Sequence, residues 1–377
     1  MKVGFISFHS FANPGGVKSH ILGLSEEYTK RGIENKIIVP RRNLFENYGK
    51  NVILLGTSIP LNFAGTQGDL CLNFNPFAIK KVLEREKFDV LHFHNYIIPA
   101  GSQILDRSKS LNILTFHANL DAIPTLIKKF YFSEKFFEDL GKKLDGVIGV
   151  ASFNLDPFKK FTGPKTVIPN GINLNNFKQT IQKVKRFDDK KINILFLGRI
   201  EERKGLIYLL EAYKNLKPKY NNIRLIIVGD GVLKNECVKY TKKNRIKEVY
   251  FEGQKTGLEV RRYFSTCDIY CSPAIFGESF GIVLLEAMAT GKPVCGFANQ
   301  GYKELLSGTR GEQFLAEPKD VSALAEKLET LIKDEGLRQK MSQWGLQTVK
   351  QYQWSNIADR VIDFYKTCLD AKKFDTK

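Results

Sequence analysis

Two glutamates bracket a segment whose residue types suit the binding of a phosphorylated sugar. Glu278 lies in a glycine-containing loop, and Glu286 follows eight positions later in an apolar run that begins after Gly281 and stops at Gly291. This pattern predicts a helix, whose first turn offers unpaired backbone N–H groups and a positive dipole end to an anion. Glu278 would lie in the loop beside that anion site, and Glu286 about two turns along the helix. Carboxylates accept hydrogen bonds, so they suit the hydroxyls of a hexose or a ribose. In the alternative interpretation, Glu278 caps the helix and Glu286 pairs with a surface cation.

A second group of charged residues lies at a turn between a predicted strand and a predicted helix. Arg199 and Lys204 are five residues apart there. A guanidinium and an ammonium at this spacing can hold a diphosphate from two sides and stabilise its charge as it leaves. The alternative is that both form surface salt bridges with Glu201 and Glu202. The sequence contains no Asp-x-Asp motif, so we expect neither a metal ion nor another cofactor.

Three histidines lie near the ends of predicted strands. His92 and His94 share one face of a strand, a spacing that could bind a metal ion. No cysteine or carboxylate accompanies them, so we expect no metal there. His117 follows the next strand, and we interpret it as a hydrogen-bonding or active-site residue. His20 is expected to be structural and to face a neighbouring helix.

The elements around these residues alternate between strands and helices. Gly15 and Gly16 follow the first strand and precede a helix, so they could let a ligand approach the backbone closely. Continuous apolar strands separated by helices predict parallel sheets covered on both faces, with ligands at the carboxyl ends of the strands. The predicted strands span residues 2–8, 35–40, 51–56, 89–94, 112–117, 146–151 and 166–169, then 193–198, 223–228, 249–252, 268–272 and 294–297.

A polar segment divides this series of elements. Residues 178–191 show no apolar period and indicate an interdomain linker. We therefore expect two domains, 1–178 and 179–354, with a last helix at 355–370 that could pack back on the first domain. A length of 377 residues and a hydrophobic content of 43% suit two ordinary domains.

Composition also limits the cellular setting. The sequence shows no apolar run of membrane-spanning length, and the N-terminus enters a strand directly, which argues against a signal peptide. None of the six cysteines forms a CxxC pair, so we expect reduced, mostly buried thiols in a cytoplasmic protein.

The net charge of +18 favours anionic partners such as nucleic acid, nucleotide sugars or acidic lipid head groups, or it reflects a generally basic surface. No aromatic-basic RNA motif or zinc finger is present, so we expect no nucleic-acid partner. Residues 123–143 interleave aromatic side chains with lysines. This composition fits an interfacial membrane helix or an ordinary amphipathic helix packed on the sheet. Its candidate membrane or acceptor residues are Lys128, Lys129 and Phe132.

Several motifs in this order resemble the retaining glycosyltransferases of family 4. They are Pro14-Gly15-Gly16-Val17, Pro169-Asn170-Gly171, Gly198-Arg199 with Lys204-Gly205, Gly229-Asp230-Gly231, and the Glu278–Glu286 pair with Gly281. The resemblance implies the GT-B fold, in which two Rossmann-like doubly wound domains face each other across a cleft. Within the family, the motifs are most similar to members that transfer mannose from GDP-mannose to a membrane inositol lipid.

The resemblance also implies roles for individual residues. Arg199 and Lys204 would hold the donor phosphates, Glu278 the hexose hydroxyls and Glu286 the ribose, while His117 would lie beside the transferred sugar. The remaining donor-binding candidates supply backbone N–H groups or close approach, and they are Gly15, Gly16, Gly229, Phe280, Gly281 and Ile282. Asn13 is a further candidate for the acceptor side, at a position where the family pattern has an acidic residue.

We therefore expect an enzyme that moves a hexose, mannose, from GDP-mannose to an anionic lipid or lipid-linked acceptor, as a peripheral protein at the inner face of the cell membrane. Retention would follow from attack on the donor's own face, with the leaving phosphate accepting the acceptor's proton. The alternatives are a UDP-sugar-dependent glycosyltransferase of glycolipid or polysaccharide synthesis, a nucleotide-sugar epimerase, and a non-enzymatic basic protein that binds membranes or nucleic acid.

Overall fold

The computed structural model of the chain describes residues 1–12, 15–43, 45–63, 66–72, 75–95, 100–120, 132–177 and 181–375. The chain divides into two compact units, which are Met1–Gly171 with Trp354–Lys377, and Ile172–Gln353. The sequence analysis had placed the division at residue 178. Within the described ranges, no helix is both long and apolar enough to cross a bilayer.

The described elements alternate along the chain, as a doubly wound fold requires. The strands are β1 Lys2–Ser7, β2 Glu34–Arg41, β3 Val52–Phe63, β4 Thr66–Leu72, β5 Val90–His94, β6 Leu111–Phe116, β7 Gly146–Gly149, β8 Lys165–Val167, β9 Ile192–Leu197, β10 Ile223–Val228, β11 Val249–Gly253, β12 Ile269–Ser272, β13 Val294–Phe297 and β14 Leu315–Ala316. The helices are α1 Gly16–Lys30, α2 Pro76–Glu86, α3 Ala100–Leu105, α4 Glu134–Gly141, α5 Leu206–Leu216, α6 Lys234–Lys243, α7 Leu258–Thr266, α8 Ile282–Ala289, α9 Gln300–Leu306, α10 Val321–Lys333, α11 Glu335–Thr348 and α12 Trp354–Asp375.

Both units carry a sheet in which the chain starts at the centre and moves outward twice. The strand order is β4-β3-β2-β1-β5-β6-β7-β8 in the first unit and β11-β10-β9-β12-β13-β14 in the second. The order therefore reverses between β1 and β5 and between β9 and β12. Ligands of open α/β sheets bind at such switch points, outside the carboxyl ends of the strands. The predicted fold class, two Rossmann-like parallel-sheet domains, is confirmed.

One edge of the first sheet differs from the prediction. The sequence analysis ended the third strand near residue 56 and placed no strand between residues 57 and 88. In the structure, β3 runs to Phe63 and β4 pairs with it in antiparallel fashion, from Thr57 opposite Leu72 to Phe63 opposite Thr66. An edge strand covers only part of the core, so it needs no continuous apolar run, and β4 therefore lacked the signal used to find the others.

The last helix belongs to the first unit. Along α12, Ile357, Tyr365 and Cys368 are buried, and they form one hydrophobic cluster with Phe5 and Tyr28. The first residue of α12, Trp354, packs against two glycines. Its indole fills the space that a side chain would occupy at Gly23 and at Gly171. Helix α12 thus completes one face of the first sheet.

The segment predicted as a linker packs onto the second unit where it is described. The backbone N–H of Val184 donates to Thr266 Oγ1 over 2.8 Å. The side chain of Phe187 is buried, and the guanidinium of Arg224 lies 5.3 Å from its ring. Residues 184–187 are therefore part of the second core, and apolar periodicity missed them because a single buried phenylalanine anchors the turn.

The aromatic and lysine-rich segment is described only in its second part. Lys128 and Lys129 lie outside the described residues, as does Asn13. Phe132 stacks on Phe137 with ring centroids 6.3 Å apart, and Phe137 is buried in the core of the first unit. Helix α4 thus packs on the sheet, as the second of the two interpretations expected for this stretch.

All six cysteines are free and buried, which confirms the prediction of reduced thiols.

The contact between α1 and α12 gives a test of the packing in the first unit. A Cβ atom at Gly23 would lie 2.1 Å from the indole of Trp354, so Gly23→Ala forces the two helices apart. We expect the free energy of unfolding to fall by about 1–3 kcal/mol, measured by thermal denaturation. The control is Gly336→Ala in α11, where the nearest atom is a side-chain oxygen 3.3 Å away. If Gly23→Ala melts no lower than the control, the packing described for α12 is wrong.

Candidate active site

Two loops at the carboxyl edge of the second sheet are fastened to each other. The loop after β9 contains a 3₁₀ turn, Glu202–Lys204, and ends at Gly205, which begins α5 with a φ of +66°. A Cβ atom at Gly205 would lie 2.0 Å from the carbonyl oxygen of Pro273 in the loop after β12. The backbone N–H of Ile275 also donates to Arg203 O over 2.8 Å. Only glycine combines this left-handed backbone with so close an approach.

The two loops bring five charged side chains into one cluster, which we call the ion cluster. Lys204 Nζ lies 2.6 Å and Arg203 Nη1 3.0 Å from Glu278 Oε1. Glu201 Oε1 lies 2.5 Å from Arg203 Nε and 3.5 Å from Arg199 Nη2. Three cations and two carboxylates leave the cluster with one net positive charge. Four of the side chains are largely buried, whereas the side chain of Arg199 is 48% exposed.

The charge state of Glu278 follows from its surroundings. Burial opposes ionisation, but the attraction of Lys204 and Arg203, together with the Lys204 hydrogen bond, outweighs it, so the pKa of Glu278 lies below its ordinary value. The carboxylate is therefore ionised at neutral pH. The pKa of Arg199 is lowered by burial, against the favourable charge of Glu201, although a guanidinium remains charged.

The structure adds residues that the sequence analysis missed. Arg203 pairs with both carboxylates of the ion cluster, and Glu201 is a buried member of it. The alternative interpretation had assigned Glu201 to surface salt bridges. The signal for Arg203 was present, because it stands next to Lys204 in the same turn. The sequence of charged residues from 199 to 204 does not show which side chains point towards the interior of the protein.

Helix α8 begins at Ile282, one residue after Gly281, which has a φ of +99° and no side chain to cap the helix. In the first turn, the N–H of Leu284 donates to Gly281 O over 2.9 Å, whereas the N–H groups of Ile282 and Val283 precede the first intrahelical hydrogen bond. Glu286 lies about 6 Å along the axis from Ile282, one turn into the helix, whereas the sequence analysis counted two turns from Glu278. Phe280 is buried and packs edge-on against Tyr352, with centroids 5.7 Å apart. Only its backbone could reach a ligand.

Helix α9 supports the loop that carries Glu278. The Asn299 side chain caps α9 by accepting from Tyr302 N over 3.0 Å, and it donates to Ala274 O over 2.9 Å. The hydroxyls of Tyr302 and Ser272 share a hydrogen bond of 2.6 Å in the buried interior. The loop between β12 and α8 is therefore held from its inner side, which fixes the position of its carboxylate.

Glu286 is in a different electrostatic state from Glu278. Burial raises the pKa of Glu286 to about 7, and the charge of Arg261 on α7 offsets only part of this shift. Its carboxylate accepts no hydrogen bond from any residue that the structure describes. A carboxyl group with a pKa of about 7 is partly ionised at neutral pH. Since no described residue donates a hydrogen bond to it, its oxygens can accept hydrogen bonds from the hydroxyl groups of a ligand.

Gly229, a predicted donor-binding residue, follows β10 at the same edge of the sheet. A Cβ atom there would lie 1.9 Å from Gly198 O, so the backbone segments after β9 and β10 touch. A glycine is therefore required at position 229 for the two strand ends to pack. Gly229 lies two strands away from β12, the strand that precedes the loop of Glu278.

In the first unit, Gly15 and Gly16 lie at the start of α1. Both are exposed, and a Cβ atom at Gly15 would meet nothing within 4 Å. Gly15 precedes the helix without a side-chain cap. The start of α1 is therefore open backbone at the positive end of a helix of 15 residues, a place where an anion could approach.

The histidines of the first unit gather at the switch point between β1 and β5. His94 Nδ1 lies 3.1 Å from His117 Nε2, and the backbone N–H of His117 donates to Asn95 Oδ1 over 2.8 Å. The ring of His20 lies 4.8 Å from that of His117, edge to face. Burial holds the pKa of His117 well below its ordinary value, with the charges of His20 and His92 adding to the shift, so the ring is neutral at pH 7.

The predicted site residues thus fall into two groups. Lys204, Glu278 and Arg199 meet in or beside the ion cluster, and Glu286 lies on the helix that follows it. His117 belongs to the first unit, as do the two glycines at the start of α1.

Comparison with known proteins assigns the chain to a family. Residues 14–176 match the family model described as Glycosyltransferase Family 4, and residues 177–348 match the model of Glycosyl transferases group 1. The chain is 30% identical to the phosphatidyl-myo-inositol mannosyltransferase of Mycobacterium leprae over 97% of both chains. It is 29% identical to the enzyme of that name from Mycobacterium tuberculosis, again over 97% of both.

Solved structures agree on the fold. A sucrose-phosphate synthase from Thermosynechococcus elongatus superposes with a TM-score of 0.77 at 19% identity, covering 98% of this chain and 99% of its own. A glycosyltransferase from Rickettsia africae gives a TM-score of 0.76 at 19% identity, over 98% of both chains. The chain therefore belongs to the family 4 glycosyltransferases and is a glycosyltransferase with the GT-B fold.

Proposed function

We propose that this glycosyltransferase moves mannose from GDP-mannose to a lipid or lipid-linked acceptor at the inner face of the cell membrane, with retention of the anomeric configuration. The observation that carries the proposal is the ion cluster, in which a buried carboxylate, Glu278, is held by Lys204 and Arg203. Such a group combines hydroxyl recognition with positive charge for a diphosphate.

The donor diphosphate would bind on the positive side of this cluster. The cluster carries one more cation than carboxylates, and Arg199 keeps about half of its side chain exposed. A guanidinium with free N–H groups can form paired hydrogen bonds with phosphate oxygens. Lys204 would share its ammonium between Glu278 and the phosphate, and the N–H groups of Gly281 and Ile282 would add to the field. These cations would take the place of a metal clamp, so we propose that the phosphate site needs no metal ion.

The two glutamates would recognise the two sugar rings of the donor. Glu278, ionised and fixed by its cations, would accept hydrogen bonds from the hexose hydroxyls. Glu286, whose carboxylate accepts no hydrogen bond within the described part of the chain, would accept hydrogen bonds from the ribose hydroxyls. The sugar hydroxyls would supply neutral hydrogen-bond donors to both carboxylates.

The chemistry of retention would depend on position and charge. The acceptor hydroxyl would attack the donor's own face, and the bond between the anomeric carbon and the diphosphate would break as the new glycosidic bond forms. The leaving phosphate would take the acceptor's proton. The cations near Glu278 would stabilise the charge that grows on this phosphate. His117, neutral because it is buried, would offer the sugar a hydrogen bond and no charge.

The identity of donor and acceptor rests on the relatives. Two relatives that cover 97% of this chain are named phosphatidyl-myo-inositol mannosyltransferase, which supports mannose and an inositol lipid. A net charge of +18 supports attraction to an anionic membrane surface. Peripheral attachment at that surface would bring the enzyme to its acceptor.

Removal of the ammonium at Lys204 tests the phosphate site. Lys204→Ala should lower the rate of mannosyl transfer at saturating donor by roughly 10²–10³, since one preorganised group that stabilises developing charge is lost. Initial rates with GDP-mannose and phosphatidylinositol vesicles would measure it. Lys219→Ala, which changes an exposed lysine in the segment after α5, should leave the rate unchanged. Thermal denaturation would show that both variants are folded. Equal turnover in the two variants would then remove Lys204 from the mechanism.

The raised pKa of Glu286 predicts a pH-dependent stability. Because its pKa is about 7 in the folded protein and 4.5 in the ordinary case, the folded state holds the proton more tightly, and stability falls as pH rises through this window. Glu286→Gln should therefore gain stability over the wild type from pH 4.5 to 7, by on the order of 2–3 kcal/mol. Thermal melts across this range, with Glu236→Gln at an exposed site as control, would show it. If the difference in stability between Glu286→Gln and the wild type does not change with pH, the burial of Glu286 is contradicted.

The base of the donor can be tested without any acceptor. A nucleotide that binds the folded state raises the melting temperature by an amount that grows with the logarithm of its concentration divided by its dissociation constant. We expect the order GDP above UDP above ADP at equal concentrations, measured by thermal shift on the full chain. A larger shift with UDP would replace GDP-mannose by a UDP-sugar as the donor and leave the ion cluster unaffected.

A further inference from the structure

The chain contains five histidines, and four of them are buried together in the first unit. Three of these, His20, His94 and His117, place one ring nitrogen each within 4.8 Å of the others. They come from α1, from the end of β5 and from the segment after β6. This convergence needs the folded sheet, since the residues lie far apart in the sequence.

We propose that His20, His94 and His117 form a binding site for a divalent transition-metal ion of the Zn²⁺ class, in which the ion joins α1 to the ends of β5 and β6. The site is separate from the ion cluster of the second unit and takes no part in holding phosphate. The ion would take His117 Nε2, so the hydrogen bond to the sugar proposed above would come from His117 Nδ1.

The hydrogen bond of His20 fixes which of its nitrogens is free. His20 Nδ1 lies 2.7 Å from Asn170 Oδ1, and a carbonyl oxygen only accepts, so Nδ1 carries the proton. The other nitrogen, Nε2, is then an unprotonated acceptor. It is buried, and none of the described residues gives it a hydrogen-bond partner. An imidazole that donates one N–H to a carbonyl and directs its other lone pair inward is the arrangement found in histidine metal ligands.

His94 and His117 supply the other two ligands. His94 Nδ1 and His117 Nε2 are 3.1 Å apart. Two nitrogens bound to one tetrahedral zinc ion at 2.0–2.1 Å are separated by about 3.3 Å. The separation of this pair is therefore close to that of two zinc ligands, and both rings would rotate to direct their lone pairs at the ion. The second nitrogen of His94, Nε2, is buried and also lacks a partner in the described ranges. His94 can therefore turn either nitrogen towards the site.

The fourth buried histidine is excluded from the site by its own hydrogen bonds. His92 Nδ1 lies 2.6 Å from the hydroxyl of Tyr365, and His92 Nε2 lies 2.6 Å from Thr115 Oγ1. Both nitrogens are occupied, so His92 stacks beside His94 at 4.3 Å and supports it. The sequence analysis weighed the pair His92 and His94 and rejected a metal because no cysteine or carboxylate accompanies them. His20 and His117, which approach His94 in the fold, are distant from it in sequence.

The ligand set indicates the class of ion. Three neutral imidazoles without a carboxylate suit Zn²⁺, Co²⁺, Ni²⁺ or Cu²⁺ and do not suit Mg²⁺ or Ca²⁺, which prefer oxygen ligands. Three protein ligands leave a fourth position for water. Each imidazole binds a metal ion in its unprotonated form, so binding should weaken as pH falls.

Binding can be measured directly on the full chain, freed of any oligohistidine tag and treated with a chelator. Titration with Co²⁺ should produce the intense visible bands of a tetrahedral site, saturating at one ion per chain. Zn²⁺ should displace Co²⁺ and should raise the melting temperature of the wild type. Absence of these bands together with an unchanged melting temperature in Zn²⁺ would overturn the proposal.

Single substitutions locate the ion. His20→Gln, His94→Gln and His117→Gln should each weaken Co²⁺ binding at least tenfold. His9→Gln changes the one histidine outside the buried group and should keep wild-type affinity. Wild-type affinity in His20→Gln and His94→Gln would place the ion elsewhere and reject the site. Because the readouts are binding and stability of the first unit, they are independent of whether GDP-mannose is the donor.

Discussion

A carboxylate can be buried in this protein because two cations lie within hydrogen-bonding distance of it. Glu278 would otherwise lose several kilocalories per mole of hydration with little in return. Lys204 and Arg203 lie 2.6 and 3.0 Å from one of its oxygens, and their attraction keeps it ionised. This pairing also determines the backbone around it, since the turn that carries the cations must touch the loop that carries the carboxylate. The glycine at position 205 and the N–H of Ile275 make that contact.

The two units use one topology for different chemistry. Each sheet reverses its strand order beside a central first strand, and each gathers polar side chains at that edge. In the second unit these side chains are charged, which is the basis of the donor site proposed above. In the first unit they are imidazoles such as His94 and His117, which burial keeps neutral. One topology thus gathers charged side chains in one unit and imidazoles in the other.

The sequence predicted most of the fold because apolar strands and glycine turns are local signals. Apolar patterns located most of the strands. The edge strand β4 was not predicted because an edge strand needs no continuous apolar run. The turn at residues 184–187 was interpreted as a linker because only Phe187 is buried there. A single anchor leaves no period to detect.

The candidate site was predicted less completely, because partners across the fold leave no trace in spacing. Lys204 and Glu278 were named separately, but their contact joins residues 74 positions apart. Arg203 was passed over although it completes that contact. Glu286 was expected two turns into a helix, whereas α8 begins at Ile282 and places it one turn in. The approach of His20 to His94 and His117 depends on the packing of α1 on the sheet, and no local pattern encodes it.

The most direct test of the donor site compares two affinities in one variant. Isothermal titration would measure GDP and GDP-mannose binding to the wild type and to Glu278→Gln. Because Glu278 is assigned to the hexose and its cations to the diphosphate, the variant should bind GDP at least as tightly as the wild type and lose the additional affinity contributed by mannose. If Glu278→Gln keeps the wild-type ratio of the two affinities, Glu278 does not recognise the sugar and the account of the ion cluster is wrong.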